Sequence, residues 1–409
     1  MSAPVSADRL TLEEALASVA APHPDRRVAE SELALARADR EQAGSRQDFN
    51  LFLEGGLRTG HRPDGDWKPD NTGRIIARKP LFDFGRSSQT IAAADQEIVA
   101  RQAALFNVEN LRRVDIMARY FDVLLADMQY AADNEFMAVT YVSWDNAKKR
   151  FEVGQISQPE LLRLEAAYQD VRERRYASQQ RMSSTRQKLA HAINRPGTLP
   201  AELAEPALKD NARVVPDYES MLASAMLKNP RVLAMQAQLE ASDARVAAVR
   251  AERNPTLDAE VVGGGYSRAS STRDDVSAGL VFNIPLYQGG RVDARVAREL
   301  AQKERIAAEL EKLKRDLSET LFTTLQEIQW LRDSGRAAAD KQIEFRDWTL
   351  ERARAEYELE MKTNLGASMA ETQLAQIRRK QVEYRLALAL ARLDALSGGS
   401  VPPVEGAQK

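Results

Sequence analysis

Pro80-Leu81-Phe82-Asp83-Phe84-Gly85-Arg86 returns later in the chain as Pro285-Leu286-Tyr287-Gln288-Gly289-Gly290-Arg291. Each copy sets apolar residues before a glycine turn, and a long segment poor in Gly and Pro follows. That order reads as a strand, a turn and the start of a helix. The repetition extends outward from these motifs. Leu12-Glu13-Glu14-Ala15-Leu16-Ala17-Ser18 is answered by Tyr218-Glu219-Ser220-Met221-Leu222-Ala223-Ser224, and His23-Pro24 by Asn229-Pro230. Arg150-Phe151-Glu152-Val153 has its partner in Glu356-Tyr357-Glu358-Leu359. Copies about 206 residues apart are one structural unit used twice, not a solenoid. Each unit reads helix, strand, polar loop, strand, very long helix, turn, helix.

The first repeat spans residues 8–198, with strands at about 48–60 and 73–84. The second spans 217–398, with strands at about 256–267 and 275–287. Residues 199–216 form a Pro- and charge-containing linker, and 399–409 read as a disordered tail.

The long segments set the scale. No Gly or Pro occurs from Arg86 to Val153, and only Gly335 interrupts Arg291 to Leu365. Helix formers fill both stretches, so each predicts a helix on the order of 100 Å long. Helices of that length need packing along their whole extent. Leu310, Leu313, Leu317, Leu321, Leu325 and Ile328 supply a seam at three- and four-residue spacing. Asp25 to Gln47 together with Pro159 to Asn194 matches one long helix in length, as does Pro230 to Glu252 with Leu365 to Leu396. Two short helices end to end would therefore run beside each long one.

The strands alternate. Phe49, Leu51, Leu53 and Leu57 occupy odd positions, with Asp48, Asn50, Glu54 and Arg58 at even ones. Leu257, Ala259 and Val261 oppose Asp258 and Glu260, and Val276, Ala278, Leu280, Phe282 and Ile284 alternate with Ser277, Gly279 and Asn283. Residues 73–84 are less regular because Ile75 and Ile76 are adjacent. Such strands suit a membrane barrel with a wet lumen. Taken alone, the alternation favours the plainer reading, a half-buried soluble sheet.

Composition narrows the function. The 409 residues are 44% hydrophobic and 29% charged, with a net charge of −2 and no cysteine. Neither nucleic acid nor an anionic surface is favoured by that charge, and thiolate chemistry is excluded. No stretch approaches the roughly 18–20 apolar residues of a spanning helix. Val5-Ser6-Ala7 before Asp8 has the small-x-small pattern of a signal-peptidase site without an apolar run upstream. The first residues read either as the end of a signal peptide or as an ordinary N-terminus. His23, His61 and His191 lack metal-ligand spacing, and no catalytic, metal or cofactor site is expected. Gly263-Gly264-Gly265 follows a strand but lacks the Lys-Ser or Lys-Thr and helix of a phosphate loop, so a bulge or flexible point is expected. Trp67 and Tyr266 fall nearest the loops as interfacial anchors, while Trp144, Trp330 and Trp348 read as helix packing.

With these motifs in order, the chain resembles the TolC-like outer-membrane efflux proteins over about Leu10 to Gly398. The two Pro-Leu-aromatic motifs resemble that family's strand-to-helix junctions, here Pro80, Gly85, Pro285, Gly289 and Gly290. The resemblance implies a mainly α fold with a β-barrel part. Three chains would form a 12-stranded transmembrane barrel continuous with a long α-helical periplasmic tunnel. It implies an outer-membrane exit channel of a tripartite efflux pump or type I secretion system. Its partners would be a homotrimer, outer-membrane lipid, a periplasmic adaptor and an inner-membrane ABC or proton-driven transporter, with no nucleic acid. The alternative is a soluble, elongated coiled-coil scaffold, and an enzyme ranks behind both.

By resemblance, Tyr357 and Lys362 at one helix tip contact Glu160 at the neighbouring tip as a gate. Ordinary surface roles for all three remain the other reading. An adaptor would dock at Val153, Gly154, Gln155, Ile156 and Ser157, and at Met361, Thr363 and Asn364. The family's inward aspartates fall on Gly366 and Met369, so no tight acidic ring is expected; Glu360 and Glu371 are nearby but read as solvated.

Overall fold

The computed structural model describes residues 9–61, 65–197, 199, 202–267, 273–359 and 365–399. The predicted tail beyond residue 399 lies outside them. Each repeat begins with a short helix, α1 (Leu12–Ala17) or α5 (Tyr218–Lys228), and a second one, α2 (Pro24–Ser45) or α6 (Pro230–Arg250). Strands β1 (Asn50–Gly56), β4 (Thr72–Phe82), β5 (Thr256–Tyr266) and β6 (Val276–Asn283) form one sheet. The two-residue strands β2 (Thr59–Gly60) and β3 (Lys68–Pro69) pair with each other in the first loop. Helices α3 (Arg86–Glu152) and α4 (Gln158–Ala192) complete the first repeat. The second repeat ends in α7 (Arg291–Trp330), α8 (Arg336–Glu358) and α9 (Leu365–Leu396).

The sheet order is β1-β4-β5-β6, antiparallel throughout. Two-strand pairs from the two repeats therefore join at β4–β5. Because β1 and β5 leave helices while β4 and β6 enter them, all four helical connections sit at one end of the sheet.

The α3 helix runs for 67 residues, as the absence of Gly and Pro predicts. It stops at Gly154, whose φ of 72° is left-handed. The Gly154 N–H donates to Phe151 O at 2.9 Å and the Gln155 N–H to Arg150 O at 2.8 Å, a Schellman closure. Asn194, with φ 56°, closes α4 in the same way, bonding to His191 O while Arg195 bonds to Ala190 O.

The second long helix differs by one residue. Arg86 and Arg291 are 205 positions apart, but Phe151 and Tyr357 are 206 apart. Between α7 and α8 the chain takes one π-helical turn, Leu331–Gly335. A π turn accommodates an extra residue without ending a helix, so the insertion is absorbed there. Leu331 is fully buried, and Arg332 donates to the carbonyls of Asn211 at 3.1 Å and Arg213 at 2.7 Å. The widened turn therefore holds the linker.

Two compact units result, and neither is a sequence repeat. One takes residues up to Arg27, Phe106–Asn229 and Arg315 onward; the other takes Val28–Leu105 and Pro230–Lys314. Long helices carry each repeat through both units, so sequence duplication and spatial compaction divide the chain differently.

The first unit contains two hydrophobic clusters. One gathers Leu10, Leu12, Ile116, Tyr120, Phe121, Leu189, Ile193 and Tyr384. The other gathers Met221, Leu321, Ile328, Leu331, Leu386, Leu390 and Leu393. The predicted leucine seam is buried at Leu310, Leu313, Leu317, Leu321 and Ile328. Each such side chain contributes about 1.5–3 kcal/mol when removed from water. Phe121 and Tyr384 stack with centroids 4.5 Å apart and planes 5° apart.

Tyr120 is fully buried, with its hydroxyl 2.7 Å from Leu10 O and 2.5 Å from Ala204 O. It ties the chain's start and the linker to α3. Tyr120→Phe should therefore cost about 1–3 kcal/mol by leaving buried acceptors short of a donor. Tyr384, whose phenol burial pushes up to about 12, has no such tie. Tyr384→Phe should cost less than Tyr120→Phe. Chemical denaturation midpoints of the two variants would check the order.

Candidate functional site

Three features organise the surfaces: the two faces of the sheet, the strand-to-helix junctions and the helix tips. Cross-strand register decides the faces. Leu51 pairs with Ala77, Ala77 with Val261 and Val261 with Ala278; Leu53 pairs with Ile75, Ile75 with Gly263 and Gly263 with Val276. Paired residues share a face, so apolar side chains collect on one side. Leu51, Leu53, Ile75, Val261, Val276, Leu280 and Phe282 are all exposed there.

The other face is polar. Glu54 pairs with Arg74 at 2.8 Å and Glu260 with Arg78 at 2.5 Å, and Asp258, opposite Pro80 and Val281, adds a third carboxylate to that face. Sequence alternation located Glu54 and Glu260 but missed both arginines, because Ile75-Ile76 blurred β4. Register resolves the blur. Ile75 joins the apolar face, while Ile76 lies between Phe52 and Val262 as an apolar spot on the polar one.

The triple glycine makes no bulge; the register shift falls instead between Pro80 and Phe82. A Cβ on Gly264 would come within 2.6 Å of the Tyr266 hydroxyl, so Gly264 makes room for that ring. At the end of the sheet away from the helices, nearly buried Asp70 takes ion pairs from Arg58 and Arg273, the latter at 2.8 Å. Arg273 also lies over the Tyr266 ring. This knot joins loops of the two repeats.

The junction motifs turn by paired left-handed residues. In the first copy these are Phe84 (φ 51°) and Gly85 (φ 90°), in the second Gly289 (φ 62°) and Gly290 (φ 73°). Asp83 then accepts the Ser87 N–H at 2.8 Å and caps α3. Pro80 lies within β4. Leu286 and Tyr287, beside Pro285, are 92% and 90% exposed, and Phe82 and Phe84 are exposed in edge-to-face contact. Glu252, whose carbonyl accepts from the Gln288 side chain at 3.4 Å, has its own side chain 8% exposed and held by Arg295 at 2.5 Å and Arg86 at 3.7 Å, one arginine from each half of the chain.

At the first helix tip Val153, Gly154, Gln155 and Ser157 are exposed and Ile156 is half-buried. Ser157 is the N-cap residue of α4. Glu160 is bonded by Arg163 of its own helix at 2.7 and 2.9 Å, which holds its carboxyl below the ordinary value. Tyr357 is 63% exposed near the other tip. Lys362, Met361, Thr363, Asn364 and Glu360 lie outside the described residues. Gly366 packs on Val139, with no room for a side chain, and Glu371 is paired with Arg346.

Tryptophan placement corrects the sequence reading in part. Trp144 stacks on Tyr168 at 5.4 Å, as packing predicts, but Trp330 and Trp348 are 51% and 73% exposed. Helical spacing cannot distinguish a buried seam from a face awaiting another chain. Among the described residues no group of three His, Cys, Asp or Glu is placed to hold a metal, and no helix is long and apolar enough to cross a membrane.

Phe84 takes a conformation that costs a non-glycine residue about 1–2 kcal/mol. Phe84→Gly should cost less stability than Gly85→Ala, which imposes a comparable penalty of about 1–2 kcal/mol at its left-handed position. Thermal melts of both variants in detergent, followed by helical circular dichroism, would check this.

Residues 221–399 match the family model described as outer membrane efflux protein. The outer membrane efflux protein BepC of Brucella suis biovar 1 (strain 1330) is 22% identical over 296 residues. That alignment covers 69% of this chain and 62% of the relative's length. Among solved structures, CusC superposes with TM-score 0.76 at 19% identity, covering 95% of this chain and 92% of that one. VceC of Vibrio cholerae superposes with TM-score 0.73 at 18% identity, covering 96% and 97%. The open state of the Neisseria gonorrhoeae MtrE outer membrane channel gives 0.74 at 16%, covering 98% and 94%. At these identities the structures establish the fold.

Proposed function

Because the chain has the fold of the TolC-like outer-membrane efflux proteins and its residues 221–399 match that family's model, we propose that three copies form a passive outer-membrane exit channel. The supporting observation is the open sheet with its exposed apolar face. Its edges are β1 and β6, and lipid offers no partner for free backbone amides. Pairing β6 of one copy with β1 of the next continues the antiparallel order. Three copies then close a 12-stranded ring with cyclic symmetry.

In that ring the apolar face meets hydrocarbon and the charged face lines the lumen. Its carboxylates and guanidiniums give water-filled surroundings. Leu286, Tyr287, Phe82 and Phe84 would lie at the membrane–water boundary, where aromatic residues are favoured. A soluble scaffold would instead leave the row from Leu51 to Phe282 in water.

The helices extend the duct into the periplasm. Energy comes from an ABC or proton-driven inner-membrane transporter, reached through a periplasmic adaptor in an efflux pump or type I secretion system. The adaptor docks at Val153, Gly154, Gln155, Ile156 and Ser157 and at Met361, Thr363 and Asn364. Tyr357 and Lys362 of one tip contact Glu160 to gate the duct. Glu160 must exchange its Arg163 partner for theirs when the gate closes.

The channel reading predicts extraction from membranes as a trimer in detergent and discrete conductance steps in planar bilayers. A monodisperse soluble protein without detergent overturns it. Replacing Tyr357 and Lys362 together with alanine should favour the open state about fivefold, since exposed contacts of this kind are worth up to about 1 kcal/mol. Unchanged conductance in a working channel would reject this gate alone.

A further inference from the structure

The same joint occurs twice, built once with a titratable residue and once without. Asn229 immediately precedes α6 and is buried; its side-chain N–H donates to Leu396 O at 2.9 Å, at the end of α9. In the first repeat the matching residue before α2 is His23, and the end of α4 takes the place of α9. The His23 ring is largely enclosed, with 15% of its side chain exposed. Its Nδ1 accepts the Asp25 N–H at 3.3 Å, serving as the cap of α2, and the backbone of His191 at the end of α4 faces the ring. Asn194, which closes α4, donates from its side chain to Pro22 O at 2.6 Å and braces the same joint.

Only an imidazole with no proton on Nδ1 can accept there, which makes the ring neutral with its proton on Nε2. From this geometry we infer that His23 makes the first joint a pH-responsive latch, closed when the ring is neutral and loosened when it is protonated, while the Asn229 joint stays closed.

Charged groups from each neighbouring element set the balance. On α2, Asp25 Oδ2 lies 3.4 Å from Nδ1. On α3, Arg112 is 3.9 Å from the same carboxylate, and it donates to Ala192 O at 3.2 Å at the end of α4. Asp115 acts from α3 as well, and Glu109 of α3 pairs with Arg26 of α2 at 3.3 Å. On α4 the facing group is the His191 carbonyl. Protonation would place a hydrogen on Nδ1, ending its acceptance of the Asp25 amide. It would also set a cation at a helix N-terminus, where the backbone dipole is positive, and near the Arg112 guanidinium. Asp25 attracts that cation and softens the penalty.

The ring's pKa agrees in direction. Burial first, then Arg112, lower it from the usual 6.5, against upward pulls from Asp25, the His191 carbonyl and Asp115. A lowered folded-state pKa means that the neutral form is bound preferentially. Stability is then complete above pH 6.5, falls as the pH drops from there through the folded-state pKa, and falls no further below it.

Hydrogen exchange of the whole chain in detergent, with exposure times corrected for intrinsic pH dependence, tests the latch. Between pH 7.5 and 5.0 the opening constant at amides 25–27 should rise about threefold or more, while amides 231–233 stay unchanged, since each unit of pKa depression allows up to about tenfold. His23→Asn, which borrows the residue of the sister joint, should remove the response at 25–27. Asn229→His should create one at 231–233 if the geometry transfers. A flat wild-type response, or one that persists in His23→Asn, overturns the inference. If Asn229→His does not fold, the wild-type and His23→Asn comparison alone decides.

Discussion

The antiparallel ladder between β4 and β5 is the interaction on which the other features depend. It runs from Thr72 opposite Tyr266 to Phe82 opposite Leu257 and joins a strand of one repeat to a strand of the other. A slip of one residue would turn every apolar side chain to the opposite face. Its register aligns Leu53, Ile75 and Val276 on one side and Glu54, Arg74 and Glu260 on the other. The ladder also fixes which strands are left at the edges. A hairpin pair from either repeat alone would be marginal in water, so the sheet requires both copies.

The two halves of the chain share one order of elements, and their differences fall where packing or turning is demanding. The extra residue of the second copy is absorbed at the π turn, where Arg332 grips the linker carbonyls. The left-handed position occupied by Gly289 holds Phe84 in the first copy, where an exposed aromatic ring accompanies backbone strain. Glu252 stands where the first copy has Arg46, and it is held by an arginine from each repeat. His23 and Asn229 make the same joint with different acid–base chemistry. Each case shows one backbone solution reached by two side-chain solutions.

Much of this architecture was legible in the residue pattern. Exclusion of Gly and Pro over 67 residues rich in helix formers marks α3 as a helix, because strands do not run to that length and each breaker would cost a helix about 1–3 kcal/mol. Leucines at three- and four-residue spacing marked the buried seam of α7 for the same local reason. The candidate site was less legible. Adjacent Ile75 and Ile76 hid the period of β4 and with it Arg74 and Arg78, since periodicity reads one strand at a time. Trp330 and Trp348 had helical spacing suited to a core, yet they are exposed. Glu160, chosen by resemblance to face the other tip, is bonded to Arg163 one turn along its own helix.

The sequence by itself determined the elements and their order, because propensity, capping and turn chemistry act over a few residues. Only tertiary structure decided which strands pair, and hence that one face of the sheet is apolar and the other carries paired charges. It alone brought His23 to the end of α4, Glu252 between Arg86 and Arg295, and Tyr120 to the carbonyls of Leu10 and Ala204. Those contacts join residues from 43 to 168 positions apart. Closing such loops costs entropy that grows only slowly with length. Many distant pairings are therefore affordable to the chain, and packing and hydrogen-bond satisfaction in three dimensions select among them.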